Sequence, residues 1–216
     1  MSSRLFSTLI PQVVAHATGC PPPQIITALK QSATELCRGG YIWTEAITPL
    51  NVVALTSEYT PTVTNADGRI HTVLWAAHDQ ATLGPRIWAT LMATYPTYPD
   101  TAAAATPTLF SQRNSQVLNL YPVPVASLTG GLTAQVVLVP TTAATGIEDR
   151  VMTDFEEEIV RGALHRVLAL PDKSWSNPKV SDFYGRKFRN DIAQAKARYN
   201  KGMQAQSLMA TAPRIV

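Results

Sequence analysis

Charged side chains are scarce: Asp, Glu, Lys and Arg make up 15% of the 216 residues, against about 25% in ordinary soluble domains. With hydrophobic residues at 45%, so thinly charged a chain implies a surface partly covered by partners. Cysteine is nearly absent. Cys20 and Cys37 cannot staple a chain of this length into a secreted disulfide framework, and their spacing does not suit a metal pair, so both read as reduced thiols. No stretch approaches the ~18 apolar residues of a membrane span. The opening Met1 to Ile10 lacks a basic region followed by an apolar run. The expectation is a protein held in the cytosol until it is assembled, with no membrane partner.

Catalytic motifs are missing too. The sequence has no Gly-x-Ser-x-Gly elbow, phosphate-cradling glycine loop, dinucleotide fingerprint or zinc-protease helix. His16, His71, His78 and His165 show no metal-ligand spacing, and His165 falls on a helical stripe where packing is the plainer role. Asp154, Glu156, Glu157 and Glu158 would hold a divalent ion only with a further acid opposite them, and a solvated helix face is the simpler reading. The expectation is therefore a protein that is not an enzyme, with no catalytic residue, no metal and no cofactor.

What the chain does have is charge sorted by position. Residues 148 to 158 carry Glu148, Asp149, Asp154, Glu156, Glu157 and Glu158 against Arg150. Residues 173 to 201 carry Lys173, Lys179, Arg186, Lys187, Arg189, Lys196, Arg198 and Lys201 against Asp182 and Asp191. Segments of opposite sign attract each other within a subunit or between copies. The second reading makes Glu156, Glu157, Arg186, Lys187 and Arg189 candidate subunit-interface residues. The basic segment also fits phosphate contact, although no recognition-helix pattern or stacking platform accompanies it.

Periodicity supplies the elements. Pro22 and Pro23 suit a first helical turn, Ile25, Ile26, Leu29, Ala33, Leu36 and Cys37 recur at helical spacing, and Gly39 with Gly40 stops the run, predicting a helix over 23–38. Short β-favouring runs follow at 41–47, 50–55, 70–75, 109–110, 117–121 and 132–139. Asn65 to Gly68 and the Gly130–Gly131 pair act as turns between some of them. The proline-punctuated stretch 90–107 has no readable conformation. Thr145 to Glu148 has the form of a capping box, and Ile147, Val151, Phe155, Ile159, Ala163, Leu164, Val167 and Leu168 extend a stripe to Pro171, predicting a helix over 147–169. Asn177 and Pro178 then open a helix over 178–201, and the short loop between them predicts an antiparallel hairpin. Trp175 in that loop either covers the end of the hairpin core or anchors a subunit interface.

The resulting expectation is an α+β fold: a helical bundle, made of an N-terminal helix and a C-terminal antiparallel hairpin, with a β-rich insertion in the middle. The helical ring-forming domain takes residues 1–40 and 145–202, the insertion takes 41–144, and a C-terminal tail takes 203–216.

Several segments, in order, resemble the adaptor or head-to-tail connector proteins of tailed phages, including the tail tubular protein A type. They are Gly19 to Pro22, Leu36 and Cys37 with Trp43, Leu118 to Pro124, and above all Glu157 to Pro178, followed by Tyr184, Phe188 and Ile192. The resemblance implies a virion protein assembled in the host cytoplasm as a ring of roughly twelve copies under the portal. It further implies a tail nozzle or tail tube as partner on the β side, duplex DNA passing through without sequence reading, and a C-terminal segment docked on the portal. Leu208, Met209, Ile215 and Val216 are the portal-binding candidates, ordering on contact. The same sequence also fits two alternatives: a neck or tail-terminator protein of a long-tailed phage, and a non-specific nucleic-acid-binding module.

Overall fold

The computed structural model describes residues 2–99 and 103–201. Strand β1 (Ser3–Leu5), a 3-10 turn and helix α1 (Ile10–Val14) lead into helix α2 (Pro22–Gly40). The middle of the chain holds β2 (Thr44–Ala46), β3 (Leu50–Val52), β4 (Glu58–Tyr59), β5 (Gly68–His78), β6 (Ala81–Thr82), β7 (Gly84–Pro85), helix α3 (Trp88–Thr94), β8 (Leu109–Asn114), β9 (Val117–Tyr121) and β10 (Leu128–Pro140). Strand β11 (Gly146–Glu148) and helices α4 (Asp149–Asp154), α5 (Glu156–Leu168) and α6 (Pro178–Lys201) complete it.

The helical bundle with a β-rich insertion is not what forms. The chain is a mixed α/β fold with several sheets. β10 pairs antiparallel with β2, β3 and β5, and β6 extends that five-stranded sheet beyond β5. A four-stranded sheet runs β4-β9-β8-β7, parallel only at β7–β8, and β1 with β11 makes a separate two-stranded ribbon. The expectation fails because β10 is long enough to serve two surroundings. Its second half buries Val136, Val137, Leu138 and Val139 completely, and the strand packs directly on α2. Helical residues Leu29, Leu36, Ile159 and Val167 therefore share one continuous core with Val136 and Leu138 from the sheet and with Trp43 just before β2. Each fully buried aliphatic side chain contributes about 1.5–3 kcal/mol.

Three local expectations change with it. The Thr145–Glu148 segment is not a capping box: residues 146 to 148 pair with residues 3 to 5, and the Thr145 carbonyl accepts the Phe6 amide at 3.1 Å. Gly146 permits that pairing, since a Cβ there would come within 2.8 Å of the Arg4 carbonyl carbon. The predicted single helix over 147–169 is two helices that meet at Phe155 (φ −131°, ψ 24°). Gly130 and Gly131 lie inside β10 rather than in a turn: Gly130 takes φ +63° where the register shifts between Leu128 and Leu132, a bulge that bends the strand. The unreadable stretch 90–107 begins inside α3, and its Tyr95 ring stacks on Tyr121 at 3.9 Å.

Gly39 and Gly40 also have a different role from the one predicted. α2 continues through both, and Tyr41 ends it in the left-handed conformation (φ 56°), its amide donating to the Cys37 carbonyl. Cβ atoms at the two glycines would collide with Ile192 and Ala195, so their absence lets α6 approach the backbone of α2. Gly162 does the same for the α2–α5 and α5–α6 contacts. A Cβ there would strike Ser32 Oγ and lie 2.8 Å from the Phe188 ring. The buried Ser32 hydroxyl donates to the Ile159 carbonyl at 2.8 Å, so moving it aside would break that bond.

Gly162→Ala is expected to lower stability by about 1–3 kcal/mol through overpacking, read as a fall of several degrees in the thermal midpoint. A melting curve that matches the unaltered chain would remove this account of the helix contacts.

Candidate assembly surfaces

α5 and α6 run antiparallel, and side chains latch them at three levels. Near the loop, the Ser181 hydroxyl donates to the His165 carbonyl at 2.7 Å while His165 Nδ1 lies 3.0 Å from the Ser181 carbonyl. In the middle, Phe188 is buried against Gly162. Farther along, Arg161 bonds Asp191 at 2.6 Å and also reaches Glu157. Burial pulls the Arg161 pKa down, but the hydrogen bonds and charges of these carboxylates outweigh it and leave it raised. The cross-hairpin ion pair thus reverses the overall polarity, with a base on the acidic helix and an acid on the basic one.

At the hairpin tip Asn177 Oδ1 accepts the Val180 amide at 3.2 Å, the expected N-cap, and the Asn177 amide donates to the Leu168 carbonyl. Trp175 is half-buried, packed against the core next to Gly19, with its indole nitrogen buried and without a partner. It lies at the far end of α5 from Glu156 and Glu157, so these candidates do not form one patch.

The acidic segment folds into an elbow at the α4–α5 junction. Glu156 bonds Arg4 at 2.8 Å and also accepts from Gln12. The exposed Glu157 meets Arg161 of its own helix, and Glu148 lies 3.9 Å from Arg150. Among the described residues, Asp149, Asp154 and Glu158 make no ion pair. The carboxylates of the first turn of α5 favour the positive end of its dipole.

α6 presents the basic face. Arg186 pairs loosely with Asp182 at 3.3 Å, Lys187 sits 4.7 Å over the Phe183 ring, and Arg189 is exposed. Val180, Phe183 and Tyr199 are exposed apolar residues on the same helix. The portal-binding candidates Leu208, Met209, Ile215 and Val216, and the tail 203–216 that carries them, lie outside the described residues.

A further charged surface has no counterpart in the sequence reading. A cleft of about 480 Å³ lies between α2, the start of β5 and the end of β10, with Lys30, Glu35, Arg38, Arg69, Thr142 and Arg166 around it. Lys30 donates to the Thr142 carbonyl at 2.8 Å, and Arg166 takes Glu35. Arg38 and Arg69 make no ion pair among the described residues. His71 beside them is held below its ordinary pKa, first by burial and then by these two guanidinium groups. No signal in the sequence brings the two arginines together, because one sits on α2 and the other on β5, thirty-one positions apart.

Both cysteines are buried free thiols, and burial pushes each thiol pKa up. Among the described residues no group of three or more His, Cys, Asp or Glu side chains is placed to hold a metal ion, and no helix is long and apolar enough to cross a membrane.

A mixed α/β subunit with segregated acidic and basic surfaces is suited to assembly with other proteins. Residues 6–214 match the model of the SU10 adaptor protein family. The chain belongs to that family, which makes it a phage adaptor and a structural component of the virion that contacts other phage structural proteins. No curated protein matches the chain.

The charge state of the cleft gives a testable pH dependence. The unfolded chain protonates His71 near about 6.5, whereas the folded chain resists that proton to lower pH. The His71 contribution to stability is thus present above about 6.5 and is lost as pH falls through the folded-state value. Replacing Arg38 and Arg69 with Gln is expected to raise the His71 midpoint in an NMR titration; an unmoved midpoint would leave burial as the whole cause.

Proposed function

We propose that the chain is the subunit of a closed adaptor ring, the tail tubular protein A-like component that joins the phage portal to the tail and continues the DNA channel between them. In this reading the subunit performs no bond-making chemistry. Family membership over residues 6–214 is the observation that carries it. The structure adds support of a physical kind: a latched three-helix layer forms a stiff wall element, and a thinly charged chain gathers its charge into an acidic elbow and a basic helix face. A ring closes by a head-to-tail contact in which two different patches meet, and opposite charge on those patches favours and orients the encounter. Roughly twelve copies fit the symmetry of such a junction. The α6 cations also suit sequence-independent contact with duplex phosphates passing along the channel, while the tail nozzle or tube takes the β side.

Negative-stain microscopy of portal-bearing heads incubated with the purified chain is expected to add a ring of density at the portal vertex. Heads unchanged by the protein would defeat the reading. Deleting residues 203–216 should abolish attachment to the portal while leaving the circular dichroism spectrum intact; full attachment by the shortened chain would exclude Leu208, Met209, Ile215 and Val216 as the docking group.

A further inference from the structure

The cleft over α2 holds positive charge that the subunit does not neutralise. Its nearest acid, Glu35, is taken by Arg166, and Lys30 is turned to a carbonyl oxygen. Arg38 and Arg69 therefore face the same recess without a counter-ion among the described residues, close enough to each other to act together on His71. Elsewhere in the molecule the reverse holds. Asp154 is exposed and makes no ion pair among the described residues, and Glu158, partly exposed, makes none either, although its charge acts on Arg161. The subunit thus holds a concave basic recess and, on a bent helix junction, more acids than the cations Arg4, Arg150 and Arg161 that meet them.

We propose that the cleft receives the acidic elbow of a second copy, so that Arg38 and Arg69 of one subunit face Asp154 and Glu158 of the next. The inference rests on the ring reading above and puts the receiving surface for its closing contact in this cleft, leaving the basic face of α6 to the duplex. A recess of about 480 Å³ between a helix and strand ends admits carboxylate side chains, whereas a duplex needs an outward row of cations such as the one along α6. Arginine is suited to the role because its planar donors bind a carboxylate in two places at once. The contact joins two different patches, so it propagates from copy to copy instead of ending at a dimer.

Sedimentation velocity on the full chain at low salt tests this, with circular dichroism to verify the fold of each variant. Arg38→Glu with Arg69→Glu is expected to weaken self-association about tenfold or more. Adding Asp154→Lys and Glu158→Lys to that chain is expected to restore it, since the reversed patches again complement each other. Self-association of the first variant equal to that of the unaltered chain overturns the proposal, as does an unaltered chain that never associates. Loss of duplex binding by Arg38→Glu with Arg69→Glu, without loss of self-association, also overturns it and assigns the cleft to phosphate. The two readings fail differently: rings that still form on portal-bearing heads with the first variant reject this contact alone, and absence of rings with the unaltered chain rejects the ring itself.

Discussion

Helices α2, α5 and α6 touch at backbone distance, and that closeness depends on side chains that are not there. Gly39 and Gly40 receive Ile192 and Ala195, Gly162 receives Ser32 and Phe188, and Gly185 lies against the His165 ring. Dispersion forces fall off steeply with separation, so a layer packed this tightly gains contact energy that a looser one forfeits. The same closeness brings His165 within reach of Ser181 and Arg161 within reach of Asp191. Once those bonds lock the register of the hairpin, the direction in which each charged face points is settled as well.

The helices were legible in the sequence because their apolar stripes repeat over several turns, and the antiparallel hairpin followed from the short loop closed by Asn177 and Pro178. The architecture was not, because β10 reads locally as one more short strand. Only in three dimensions does its second half lie under α2 and join the two layers into one core. The false capping box has a similar origin. Thr145 and Glu148 satisfy a local rule, but β1, far away in sequence, offers the residues between them a better set of backbone partners. Glycines misled for the opposite reason: at 39, 40, 130 and 131 they serve close approach or a bulge rather than a stop, and composition cannot separate those roles.

The surfaces were legible to a different degree. Runs of like charge on one helix, such as Arg186, Lys187 and Arg189, declare themselves in the sequence. Pairing does not: Glu156, read as available to a neighbour, is engaged by Arg4 and Gln12 of the same subunit. The cleft is the converse case. Arg38 looks like an ordinary helix-terminal base until the sheet carries Arg69 alongside it.

Pairing between residues 3–5 and 146–148 sets the order in which the molecule can be completed. A ribosome delivers the first strand long before its partner, so Phe6, Leu9 and Val13 can meet α2 early while the strand itself stays unpaired until residues 146–148 are made. Loop closure over so long a span is slow. Until it happens, the elbow lacks both its ribbon and the Arg4 clamp. A nascent chain therefore completes its acidic elbow only after residues 146–148 have been made.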